Sequence, residues 1–182
     1  MKNQNSKITI IQKGNDILRK IAEEIPAQNI QSKEIRNVIG RLKKAISENE
    51  EAVAAAAPQI GKSLRIFVVT EYILSSHTKE DKKENYGYIV FINPKIIKKS
   101  RGQKMLTEGC LSVINIYGAI KRFEKVKVEA YNESGKKFTR GASGLFSQVI
   151  QHEIDHLDGI LFTDKALALK RILPQNNQSQ NV

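Results

Sequence analysis

The chain holds a single cysteine, Cys110, so no disulfide can form within it. It lacks any apolar run near the roughly 18 residues that a membrane span requires. From Met1 to Lys13, polar and apolar residues alternate without the apolar stretch of a signal peptide. The expected location is therefore the cytoplasm, with no membrane partner. There are no internal repeats and no clear linker in the 182 residues, a length that suits one domain. We assign residues 1–173 to that domain and 174–182, polar from Pro174 onward, to a flexible tail. Histidine is also scarce, with His77, His152 and His156 making up the whole set.

Positive charge is not scarce. Thirty basic residues stand against 19 acidic ones, a net charge of +11. That excess favours attraction to a polyanion such as RNA. The basic pairs at Lys43-Lys44, Lys82-Lys83, Lys98-Lys99 and Lys136-Lys137 are scattered, and no basic motif interleaved with aromatics appears. Sequence-specific nucleic-acid recognition is not expected, and a well-solvated surface accounts for the charge equally well.

Ile8 to Ile11 reads as a short strand, after which Asn15 and Asp16 cap a turn through Ile17, Leu18 and Arg19. From Ser32 to Glu48, apolar residues fall at Ile35, Val38, Ile39, Leu42 and Ile46, the spacing of an amphipathic helix. Leu64 to Thr70 is a β-branched, buried strand, and Tyr72 to Tyr86 is an exposed loop that carries His77. Tyr88 to Asn93 reads as a strand stopped by Pro94 and resumed over Lys95 to Lys99. Val126, Val128 and Ala130 alternate with Lys127, Glu129 and Tyr131, a half-exposed strand that turns at Asn132 to Gly135 into Lys136 to Arg140. Ser143 to Leu157 is the strongest helix, with Gly159 just past its end. Asp164 to Ile172 reads as a weaker final helix. Strands and helices are segregated along the chain, so the fold class is α+β.

The strongest helix contains His152-Glu153-Ile154-Asp155-His156. Two histidines four apart lie one above the other on a helix face and can bind one metal ion. Glu153 is about 100° further round, where it flanks the ion and can act on a water beside it. The apolar turns before it, Leu145, Phe146, Val149 and Ile150, imply that the helix is buried, and buried histidines without a shared partner are costly. Such a site needs a third protein ligand and an open position. No later His or Glu follows. Asp158 and Asp164 are candidates, and Cys110, the one thiolate available, is the better one.

Three blocks then fall in order: Ala56 to Gly61 (AAPQIG), Glu108 to Ser112 (EGCLS) and Gln151 to His156 (QHEIDH). Together they resemble the three signature motifs of peptide deformylases. Asn15 to Arg19, Asn93-Pro94 and the basic Arg122 fit as well, so the resemblance covers roughly Ile8 to Lys165. It implies an α+β domain in which antiparallel strands pack around a central HExxH-bearing helix. It implies removal of the N-formyl group from the initiator methionine of nascent polypeptides, with no more than a transient ribosome contact as a further partner. Cys110, His152 and His156 would hold one divalent metal, natively ferrous iron, with zinc, nickel or cobalt able to take its place. Glu153 would be the acid/base, with the Gln59 amide and the Leu111 backbone N–H as oxyanion donors. Val53, Ala54, Leu106, Gly109, Leu145 and Val149 would line the substrate cleft, and Glu108 and Arg122 would support the second motif.

The chain departs from the family pattern where Ala52 and Ala54 replace two glycines. The change implies either a narrower cleft or a helix extended as far as Pro58. Ile114-Asn115 also stands where the family has a Pro-Gly-like turn. Two other readings exist: an altered descendant that keeps the metal without the activity, and a zinc peptidase cutting internal peptide bonds. The EGCLS and AAPQIG blocks discriminate against the second.

Overall fold

The strand Ile66–Thr70, apolar up to its last residue, explains the centre of the architecture. Ile66 and Val68 point to one side, Phe67 and Val69 to the other, and all four are buried. A strand covered on both faces has no use for polar alternation. In this computed structural model, which describes residues 7–74 and 85–172, that strand is β2.

β2 belongs to a five-stranded antiparallel sheet in the order β1-β2-β3-β6-β7, with β1 Ala54–Ala56, β3 Tyr88–Lys99, β6 Lys125–Tyr131 and β7 Lys137–Ser143. On one face lies helix α1, Lys33–Ser47, whose predicted stripe of Ile35, Val38, Ile39, Leu42 and Ile46 packs on Ile66, Val68, Val90 and Ile92. The Ser32 side chain caps it by accepting from the Ile35 N–H at 3.3 Å. On the other face lies α2, Gly144–Leu157, whose Phe146, Val149, Ile150 and Leu157 meet Phe67, Phe91, Val126 and Val128. A second, three-stranded sheet, β4-β5-β8, is formed by β4 Gln103–Cys110, β5 Val113–Phe123 and β8 Ala168–Arg171.

Four local expectations need correction. The predicted strand at Ile8–Ile11 forms no ladder, although the Ile11 and Lys13 N–H groups donate to the Gln59 and Ser112 carbonyls at 2.8 Å. β3 does not stop at Pro94. A bulge absorbs the proline, with Asn93 at φ 49° and its side chain bonded both ways to the Ile25 backbone. The predicted final helix is only one turn, α3, Phe162–Lys165, followed by β8. The β5 edge at Ile116–Ala119 offers Ala168–Arg171 backbone partners, and that pairing overrides helix propensity. The Ala-rich stretch extends no helix, because α1 ends at Ser47 and Ala54–Ala56 is strand. The cap at Asn15 and the turn over Asp16–Arg19 stand as expected. His77, most of the Tyr72–Tyr86 loop and the 174–182 tail lie outside the described residues.

Candidate metal centre and cleft

α2 ends against the first turn of the chain. The Ala22 N–H donates to the Leu157 carbonyl at 2.8 Å, and Gly159 sits at φ 73° against the Arg19 backbone. Fixed in this way, the helix presents His152 and His156 on one face, their rings 4.8 Å apart and nearly perpendicular. Cys110 is the last residue of β4, which delivers its Sγ to 3.2 Å from His156 Nε2.

The donor atoms of Cys110, His152 and His156 all lie within 4.8 Å of one another. Ligands held about 2.0–2.3 Å from one ion fit within that separation. His152 Nδ1 donates to Glu108 Oε2 at 2.9 Å, which leaves Nε2 for the ligand cluster. Electrostatics agree. Burial would push the Cys110 thiol up, but His156 and His152 draw it well below its usual range, toward the thiolate a metal requires. Burial would lower His152, and Cys110 and Glu108 instead raise it well above its usual value. The cluster is a set of anions and imidazoles that favours a cation at its centre. Two buried atoms at this place, Glu153 Oε2 and His156 Nδ1, have no hydrogen-bond partner among the described residues. Asp158 and Asp164 are engaged elsewhere, with Arg65 and Arg19.

Behind His152 runs a chain of charges. Arg122 donates to both oxygens of Glu108, at 2.7 and 2.8 Å, and to Asp155 at 2.6 Å, while Lys165 takes the other Asp155 oxygen at 2.6 Å. Burial works against the Glu108 carboxylate, yet Arg122 and His152 hold it down to about 2. Arg122, expected to support the second motif, is 4% exposed. Asp155 went unnoticed, although its place inside the motif was a signal: a buried helix keeps an acidic residue only when that residue is paired. Gln151 was also missed. Its amide both donates to and accepts from the Phe123 backbone, tying α2 to the end of β5.

A cleft of about 470 Å³ opens in front of the cluster. Val53, Ala54, Gln59, Gly109, Leu111, Leu145, Val149 and Glu153 all line it, together with Cys110 and His152. Leu106 does not; it stands opposite Ile120 in the β4–β5 pair. Gln59 Oε1 accepts from the Ala56 N–H at 2.8 Å, so its amide nitrogen faces Cys110 Sγ at 3.4 Å and Ser112 Oγ at 3.3 Å. Leu111 lies in the turn between β4 and β5. The Gly109 backbone is overlain by the Tyr117 ring, where an added Cβ would meet a ring carbon at 2.8 Å. Neither Ala52 nor Ala54 has a positive φ, so the alanines bring no backbone strain, only methyl groups in the cleft wall.

Comparisons with known proteins converge. The sequence model of the family described as Polypeptide deformylase matches residues 7–172. Peptide deformylase 2 of Clostridium acetobutylicum is 41% identical over 149 residues, covering 82% of this chain and 88% of that protein. The chloroplastic Peptide deformylase 1A of tomato, Solanum lycopersicum, is 35% identical over 162 residues, covering 86% of this chain but only 58% of the tomato protein's length. Among solved structures, a peptide deformylase from Legionella pneumophila superposes with a TM-score of 0.76 at 33% identity, covering 88% of this chain and 86% of that one. A class I type b peptide deformylase from Acinetobacter baumannii, bound to Met-Ala-Ser, superposes at 0.75 with 29% identity, covering 88% and 98%.

Proposed function

The chain belongs to the peptide deformylase family, and from that premise we propose that Cys110, His152 and His156 hold one divalent metal ion while Glu153 moves the protons of N-formyl hydrolysis. The observation that carries this reading is the convergence of a cysteine sulfur and two imidazoles on one point, beside a buried carboxyl one of whose oxygens has no hydrogen-bond partner among the described residues.

A bound divalent ion supplies Lewis acidity, polarising the formyl carbonyl and easing the ionisation of a water beside it. Glu153 is suited to take that water's proton. Burial pushes its carboxyl up to about 7, against the opposing pull of His152 and His156, which places it where proton uptake and release are both cheap at neutral pH. The Gln59 amide, fixed by the Ala56 N–H, and the Leu111 N–H serve the oxyanion of the tetrahedral species. Glu153 returns its proton to the departing amine, releasing formate and a free methionine N-terminus.

The substrate is the formyl-Met end of a nascent polypeptide. β1 is an edge strand, so an extended peptide can lie along Val53 and Ala54 and face Gly109. Leu145 and Val149 form the apolar wall for the methionine side chain. The Acinetobacter relative, with Met-Ala-Ser bound, supports a peptide that begins with methionine. Ferrous iron is the ion we assign, and the thiolate-bearing donor set also suits zinc, nickel and cobalt. The cytoplasm is the assigned location; among the described residues no helix is long and apolar enough to cross a membrane. A brief ribosome contact stays part of the proposal. No feature of the site favours an altered descendant that has lost the activity.

The test is formate release from a formyl-Met peptide by anaerobically prepared iron- or nickel-loaded protein. Turnover that vanishes in Glu153→Ala while metal stays bound supports the assignment. Full metal occupancy without turnover overturns it.

A further inference from the structure

Another face of α2 borders a second cavity, of about 390 Å³, which shares no lining residue with the cleft. Its wall carries Arg65, Lys95, Lys99, Lys121, Arg122 and Lys165 against only Asp155 and Asp158. Both acids are already engaged. Asp158 pairs with Arg65 at 2.8 Å, and Asp155 divides its oxygens between Arg122 and Lys165. Lys95 stands across from Glu129 in the β3–β6 pair, but that carboxylate pairs with Lys137 at 2.9 Å. Lys99 lies over the Phe123 ring at 5.1 Å from its centre, and Lys121 is exposed. Among the described residues, Lys95, Lys99 and Lys121 make no ion pair. Like charges gathered around one hollow repel one another unless an anion enters it.

Positive charge continues beyond the rim. Lys98 and Lys127 are cross-strand partners of the same sign, and both are exposed, as is Lys125. Like charges directly opposite on a sheet are destabilising by themselves. A chain of phosphates crossing the hollow and its rim would relieve both costs, and the net charge of +11 would steer it there.

We propose that this cavity and its lysine rim form a sequence-independent binding surface for a phosphodiester backbone, seated on Lys95, Lys99 and Lys121. The recognised group is the phosphate, so binding does not depend on base sequence. Lys95, Lys99 and Lys121 neither line the cleft nor belong to the Arg122–Glu108–His152 chain, so deformylation of a short peptide does not depend on these three lysines.

The test measures fluorescence anisotropy of a labelled single-stranded RNA of about 12 nucleotides with metal-loaded protein at low salt. In Lys99→Glu/Lys121→Glu, affinity is expected to fall by about tenfold or more, with a shallower salt dependence. Formate release from a formyl-Met tripeptide should be unchanged. The charge-matched control Lys33→Glu/Lys136→Glu, on the α1 side, should stay within about threefold of wild type. Equal weakening in both variants would reduce the effect to net charge and overturn the site. So would no detectable RNA binding by the wild type. Displacement of the RNA by AMP at equal phosphate concentration would also overturn it, in favour of a mononucleotide pocket. If charge reversal disturbs the fold, Lys99→Gln/Lys121→Gln should show the same loss in smaller degree, and its absence there would equally overturn the proposal.

Discussion

Arg122 holds Glu108 through two parallel hydrogen bonds, with both side chains almost completely buried, and that same Glu108 carboxylate orients His152. The imidazole that faces Cys110 and His156 is therefore set by a guanidinium on the neighbouring β-hairpin. Replacing Arg122 with Met leaves the Glu108 carboxylate buried without its main counter-charge. The expected cost is about 3–5 kcal/mol of stability and about 10–100-fold in metal affinity. Thermal unfolding and competition with a chelator measure the two effects. Arg122→Lys, which cannot grip both oxygens, should restore only part of each.

The same pair predicts an acid response. The Glu108 carboxyl is held down to about 2, below its ordinary 4.5. A depressed carboxyl contributes stability that is full above its unfolded value and lost as pH falls through its folded value. The window is therefore from about pH 4.5 down to about pH 2. Across it, wild type should lose on the order of 3 kcal/mol more than Glu108→Gln. Denaturant midpoints at several pH values measure this, and equal slopes would remove Glu108 from the account.

The paired substitution Ala52→Gly/Ala54→Gly should raise kcat/KM for formyl-Met peptides by clearing two methyl groups from the cleft wall. Metal content should not change. Stability should fall by up to about 1 kcal/mol per glycine, because neither position needs a positive φ. Unchanged kinetics would show that the alanine methyls do not touch the substrate path.

Gly159, just past the motif helix, packs against the backbone of Arg19 and Lys20 near the start of the chain. At φ 73°, an added Cβ would meet the Arg19 carbonyl oxygen at 2.5 Å. Gly159→Ala should therefore lower stability by at least the roughly 1–2 kcal/mol of a left-handed alanine, with the backbone clash added. Chemical denaturation measures it, and a loss below about 0.5 kcal/mol would mean that the turn readily yields.

Much of this was legible beforehand because it rests on local patterns. The Ile35-to-Ile46 stripe, the Asn15 cap and the histidine spacing each follow from the geometry of one element. What escaped depends on partners far along the chain. β4 and β5 were not expected, because Gln103–Cys110 is mostly exposed and lacks a clean apolar alternation. Ala168–Arg171 has helix-forming residues, and only the β5 edge makes it a strand. The roles of Asp155 and Arg122 could be settled only once a hairpin and a helix were seen to face each other.

The Gln12 amide donates to the Leu111 carbonyl across 99 residues of chain, and Cys110 meets His156 across 46. Contacts so distant in sequence carry the entropy cost of closing a long loop, which is paid before the contact rewards it. An unfinished copy emerging from synthesis has no ligand set at all until His156 has been added. Anything seated between β4 and α2 then behaves as a cross-link around that 46-residue loop. With the proposed ion bound there, the lifetime of the folded molecule is tied to the occupancy of that site.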